Sequence, residues 1–140
     1  MSEENVEVVR RVYELVLATG RFADHATAEV IPQLFDPGVV MRQMSSMIDT
    51  AGDFHGYQGL ADASREILQV TTDIGYVAEE IRAAGDQVAT VALVSGTGRF
   101  SGAPFERRTG QLFTLRNGRV VRWEAFDDPA DAFQAAGLAE

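Results

Sequence analysis

The chain has 140 residues, the size of one domain, and its 46% hydrophobic and 24% charged shares are those of an ordinary globular protein. A net charge of −9, from 21 acidic and 12 basic residues, repels phosphate backbones and anionic membrane surfaces and so argues against both as partners. There is no cysteine, which removes disulfides, thiolate metal sites and a cysteine nucleophile and fits a reducing compartment.

Taken in chain order, residues 3–19 place Val6, Val9, Val12, Tyr13, Val16 and Leu17 on one helical stripe, with Ser2 to cap the helix and Gly20 to end it. A second helix is expected over 25–35, with Pro32 in its first turn and Asp36-Pro37-Gly38 closing it as a turn. Residues 39–47 read as a short strand and 48–54 as a loop or irregular hairpin. Residues 59–70 read as a third helix whose inner face is Leu60, Ala63, Ile67 and Leu68. From there the apolar period falls to two, and 74–83, 86–100, 104–116 and 119–127 are strand-like. Turn chemistry joins them, above all Asn117-Gly118, a strong local hairpin signal. Gly96 and Gly98 lie inside the longest strand, where glycine weakens a sheet unless it bends, and mark a corner where the sheet curls. Asp128 caps a last short helix with Pro129 at its first position and Gly137 past its end.

The expected fold is α+β: one domain over 1–140, a cone-shaped, curved, mostly antiparallel sheet covered by three N-terminal-half helices, plus a short C-terminal helix. No apolar run is long enough to span a membrane, and MSEENVEVVRR lacks a basic region followed by an apolar core, so the expected compartment is the cytoplasm. The two histidines, His25 and His55, make no metal-ligand spacing, and no phosphate loop or nucleophile elbow is present, so no metal and no cofactor are expected.

Five phrases carry a resemblance: ENVEVVRRVYE at 4–14, LFDPGVVMRQ at 34–43, FHGYQGL at 54–60, LFTLRNGRVVRWEAF at 112–126 and DPADAFQAAGL at 128–138. With the element order, they resemble the SnoaL-like branch of the nuclear transport factor 2-like superfamily. The resemblance implies the cone fold and a group containing ketosteroid isomerases, epoxide hydrolases, polyketide cyclases, dehydratases and non-catalytic binders. Laid on this chain, the isomerase pattern puts Gln43 where the aspartate base stands, Gln111 at the oxyanion aspartate and Tyr13 near the first-helix tyrosine. A glutamine amide takes no proton at neutral pH, so the pattern lacks its base. The hydrolase acid after a tryptophan falls on Ala125, and its Arg-x-Asp has no match within 88–94. The cyclase acid near the end of the last strand falls on Asp127.

Strand alternation puts Trp123, Ala125 and Asp127 on one face and Gln111, Phe113 and Leu115 on one face of the preceding strand. If those faces look inward, Asp127 is a rim carboxylate against an apolar hollow, suited to acid–base work; the alternative is a second capping residue beside Asp128. Gln111 either orients a ligand carbonyl or pairs with Tyr13 or a backbone group. Tyr13 is either a proton donor or a packed core residue with a satisfied hydroxyl. Trp123, Phe113, Gln43, Tyr57 and Met41 complete the expected ligand-binding wall, with Met44 and Met47 as adaptable filler. The function expected is a cone binding a small, largely apolar metabolite, with or without acid–base chemistry by Asp127 and Tyr13. The alternative is a protein-interaction or homodimerisation module using the outer sheet face of Leu112, Thr114, Val120, Arg122 and Glu124.

Overall fold

A computed structural model describes residues 2–19, 29–43 and 52–138. Helix α1 (Ser2–Leu15) buries Val9, Val12 and Tyr13 on its stripe, and a short 3-10 turn over Leu17–Thr19 follows it. The side chain of Ser2, and Gly20, lie outside the described residues, as do His25, Met44 and Met47.

Of the second helix expected over 25–35, residues 25–28 lie outside the described residues. Only α2 (Ile31–Leu34) is present among the described residues, with Pro32 in its first turn as its fixed φ favours. The chain extends at Phe35, not after Gly38, and the expected turn Asp36-Pro37-Gly38 lies inside β1 (Phe35–Gln43). The Gly38 amide donates to Asp36 Oδ2 at 2.8 Å, and the register on the neighbouring strand shifts between Phe35 and Val40. The turn signal was real but was absorbed as an irregularity within a strand. The stretch expected as a loop or irregular hairpin contains the start of β2 (Gly52–His55), antiparallel to β1 as in the hairpin alternative and clamped to it by Arg42 Nε on Asp53 Oδ1 at 2.9 Å.

Helix α3 (Gly56–Val70) starts three residues early, on a Gly56 with φ +70°, and buries Leu60, Ala63 and Ile67 as expected. The meander follows as β3 (Thr71–Ala84), β4 (Gln87–Gly98), β5 (Pro104–Arg116) and β6 (Arg119–Phe126). Asn117 and Gly118 both take positive φ, 55° and 78°, as the two-residue hairpin requires. Opposite Gly96, β3 slips register between Thr72 and Gly75, and a Cβ on Gly96 would sit 3.1 Å from both Ile74 Cα and the Phe105 ring. The glycine admits a close approach at a bend.

The six strands run in the order β2-β1-β6-β5-β4-β3. The sheet is curved and unclosed, and β1 on β6 is its parallel pairing. Helices α1 and α3 lie over the concave face, α1 against β3 and β4, α3 against β1 and β2. The last helix, α4 (Pro129–Ala135), sits instead on β5 and β4. Gly110 allows that approach, since a Cβ there would be 2.8 Å from Ala132 Cβ. Ala89, Leu112 and Ala132 are buried without joining the main core, a second small apolar cluster under α4. Arg82 of β3 closes over the Phe133 ring at 5.1 Å.

These placements change the outer face expected to pair two copies. Leu112 is already buried within one chain. Val120 belongs to the core, because the β5–β6 register shifts between Thr114 and Leu115 and reverses the alternation. Thr114, Arg122 and Glu124 are what remain partly exposed.

Candidate functional site

The sheet register brings the central residues together. Gln111 of β5 faces Ala125 of β6 and Thr90 of β4, and Phe113 faces Trp123. These side chains point to the concave side, where α1 lays Tyr13 across them. The Tyr13 hydroxyl donates to Gln111 Oε1 at 2.9 Å, and Trp123 Nε1 donates to the same oxygen at 3.3 Å. Thr90 Oγ1 lies 2.7 Å from the Tyr13 oxygen. A carbonyl oxygen only accepts, so the phenol proton goes to Gln111 and the threonine hydroxyl donates to the phenol. All four residues are buried. Burial raises the Tyr13 pKa far above its ordinary 10.0, the Thr90 bond opposing only part of that rise.

Rings fill the space around this network. Phe113 stacks on Trp123 at 5.6 Å, Tyr13 meets Phe113 edge-on at 6.0 Å, and Phe35 lies 6.1 Å from Trp123. Of the roles open to Gln111, pairing with Tyr13 is the one realised, and the same oxygen satisfies the indole. Trp123 and Gln111 look inward as the alternation requires, but into packed rings. The open space lies to one side. A cavity of about 460 Å³ runs between α1 and β3, lined by Arg10, Tyr13 and Glu14, by Ala18, and by residues 76–81. Tyr13 belongs to both the buried network and the cavity wall.

The other expected residues are scattered. Met41 is buried on β1 opposite Trp123 and Phe54, as core filler. Tyr57 is half-buried and donates to the Phe35 carbonyl at 2.9 Å, tying α3 to β1. The Gln43 side chain lies outside the described residues. Asp127 stands past the end of β6 with 43% of its side chain exposed, and Arg107 donates to it at 3.1 Å. It faces a solvated cation instead of an apolar hollow. The cap of α4 is Asp128, whose Oδ1 accepts the Ala130 amide at 2.9 Å. Among the described residues no group of three or more His, Asp or Glu could hold a metal ion, and no helix is long and apolar enough to cross a membrane.

Sequence reasoning missed Tyr76, Arg10 and Glu14. Tyr76 carried a signal, since it sits two residues from Ile74 on the buried face of β3. What the sequence lacked was the pairing of α1 with β3, which turns these residues into one wall.

Comparison with known proteins agrees with this architecture. A family model described as a SnoaL-like domain matches residues 9–123. No curated protein matches the chain. Among solved structures, a candidate SnoaL-like polyketide cyclase from a Jannaschia species is similar at 22% identity and TM-score 0.74, covering 99% of this chain and 94% of that one. A protein of unknown function from Burkholderia pseudomallei, described as nuclear transport factor 2-like, shares 20% identity at TM-score 0.73 and covers 94% and 95%. TerC, crystallised with polyporic acid, shares 16% identity at TM-score 0.73 and covers 96% and 98%. At these identities the likeness is one of fold.

Proposed function

The chain belongs to the SnoaL-like domain family, and from that premise we propose that it binds a small, largely apolar molecule in the α1–β3 cavity against the ring of Tyr13. The observation that carries this reading is the double membership of Tyr13. One edge of the phenol is fixed by Gln111, Thr90 and, through Gln111, Trp123, while its ring walls a space of about 460 Å³. That volume is in the range of small-molecule sites, and a wall residue fixed in advance costs little ordering on binding. Structures of the same fold crystallised with polyporic acid and with trimethylamine lend support, as facts about those proteins.

The finer proposal is cofactor-free proton transfer. A buried phenol held protonated is a donor, suited to polarising a ligand oxygen that takes the place of Gln111 Oε1. Of the carboxylates lining the cavity, Glu79 is held by Arg108 and Glu80 by Arg82, both at 2.6 Å, which leaves Glu14 as proton acceptor. Asp127, engaged by Arg107, lies outside that arrangement. Thermal melting across a panel of neutral aromatic ketones and phenols tests the binding. Members of the panel are expected to raise Tm in wild type and to do so less in Tyr13→Phe. A panel without a single stabilising compound would remove the reading. Exchange of the α-protons of a bound ketone in D₂O, followed by NMR, tests the chemistry. It should be lost in Glu14→Gln and kept in Asp127→Asn; the reverse would restore Asp127 and discard Glu14.

A further inference from the structure

The cavity has a polar feature that neither the buried network nor the proposed proton transfer uses. Tyr76 lines it from β3, is 7% exposed, and has no hydrogen-bond partner for its hydroxyl among the described residues. Desolvation is the one cause moving its pKa, upward, with no bond opposing it. The hydroxyl is not among the buried side-chain atoms cut off without a partner, so solvent reaches it from the cavity, and a ligand that displaces that solvent must supply an acceptor or leave the donor unmet. The phenol of Tyr13 does not meet it, being bonded instead to Gln111 and Thr90.

We propose that the cavity takes a neutral, largely apolar molecule whose carbonyl oxygen accepts the hydroxyl of Tyr76. The apolar body follows from Ala18, Ala78 and Ile81 on the walls. An acceptor is required because the unpaired group is a donor. Neutrality follows from the lining. Glu79 and Glu80 are paired with Arg108 and Arg82, and Glu14 stands on the same wall as Arg10, so the lining holds no excess cation to compensate a buried anion. The position of the ligand rests on the reading above, but the role of Tyr76 does not depend on that of Tyr13.

The test uses two probes of one shape, 1-indanone and indane, which lacks the oxygen, titrated into the whole chain and followed by NMR. Tyr76→Phe is expected to weaken indanone about tenfold and leave indane unchanged, the size of one well-formed hydrogen bond. Equal changes for both probes, or none for indanone, would overturn the proposal. Loss of indanone binding in Tyr13→Phe with none in Tyr76→Phe would overturn it while leaving the cavity reading intact. Failure of both probes to bind wild type would end both. A readout that needs no variant is the ¹³Cζ resonance of Tyr76 in tyrosine-labelled wild type. It is expected to move with indanone and stay in place with indane, and the opposite pattern, or equal movement, would contradict the assignment.

Discussion

At the scale of single residues, the two inward-facing tyrosines make opposite contributions. Tyr13 is bonded on both sides, whereas Tyr76 has a hydroxyl without a partner among the described residues. Removing the hydroxyl from each should therefore differ in sign. Tyr13→Phe is expected to lower stability by about 1–2 kcal/mol in urea denaturation, and Tyr76→Phe to leave it unchanged or raise it. Gln111→Leu strips an acceptor from two buried donors at once and should cost about 2–4 kcal/mol. Both tyrosines are also held protonated in the fold, their pKa values raised by burial. Ionisation then favours the unfolded chain, so stability is fully present below the ordinary pKa of 10.0 and is lost as pH rises beyond it. Phenolate absorbance at 295 nm should accordingly rise in step with loss of near-ultraviolet circular dichroism for two of the three tyrosines. Ionisation of all three in a folded chain would show that Tyr13 and Tyr76 are not enclosed.

At the scale of elements, the close approach of α4 to the outer face depends on Gly110. Gly110→Ala puts a methyl 2.8 Å from Ala132 Cβ and Pro129 Cα and is expected to cost about 1–3 kcal/mol, with the loss of protection from hydrogen exchange concentrated in α4. Asp128→Ala removes the cap alone and should cost about 1 kcal/mol. Elements with local causes were the legible ones. The hairpin at Asn117-Gly118, the cap at Asp128 and the inner face of α3 all follow from neighbours in sequence. Two kinds of feature were not legible. The turn signal at Asp36-Pro37-Gly38 was overridden because a strand can absorb such a turn when its neighbour tolerates a register shift. The end of α3 is held by Arg99, from the β4–β5 hairpin, which donates to the Leu68 carbonyl at 2.6 and 2.9 Å, a partnership across 31 residues that no local pattern announces.

At the scale of the whole molecule, the same division separates the residues of the site from its location. Alternation named Gln111, Trp123 and Phe113 as inward-facing, and the register confirms that they share the concave face. It could not say that the space before them is filled by the Tyr13 and Phe35 rings, nor that the opening lies beside β3. Those facts depend on which strand α1 crosses, a contact between the first helix and an edge strand some sixty residues later. Asp127 shows the limit in another way: its parity along β6 is that of Trp123, yet past the last paired residue the face ends and the carboxylate meets Arg107. The account as a whole stands on a small molecule entering between α1 and β3. The most direct measurement is an amide ¹⁵N–¹H shift map of the wild-type chain titrated with 1-indanone. Perturbations are expected to gather on Arg10, Tyr13, Glu14, Ala18 and residues 76–81; shifts confined to the β4–β5 hairpin around Phe100, or no shifts at all, would contradict it.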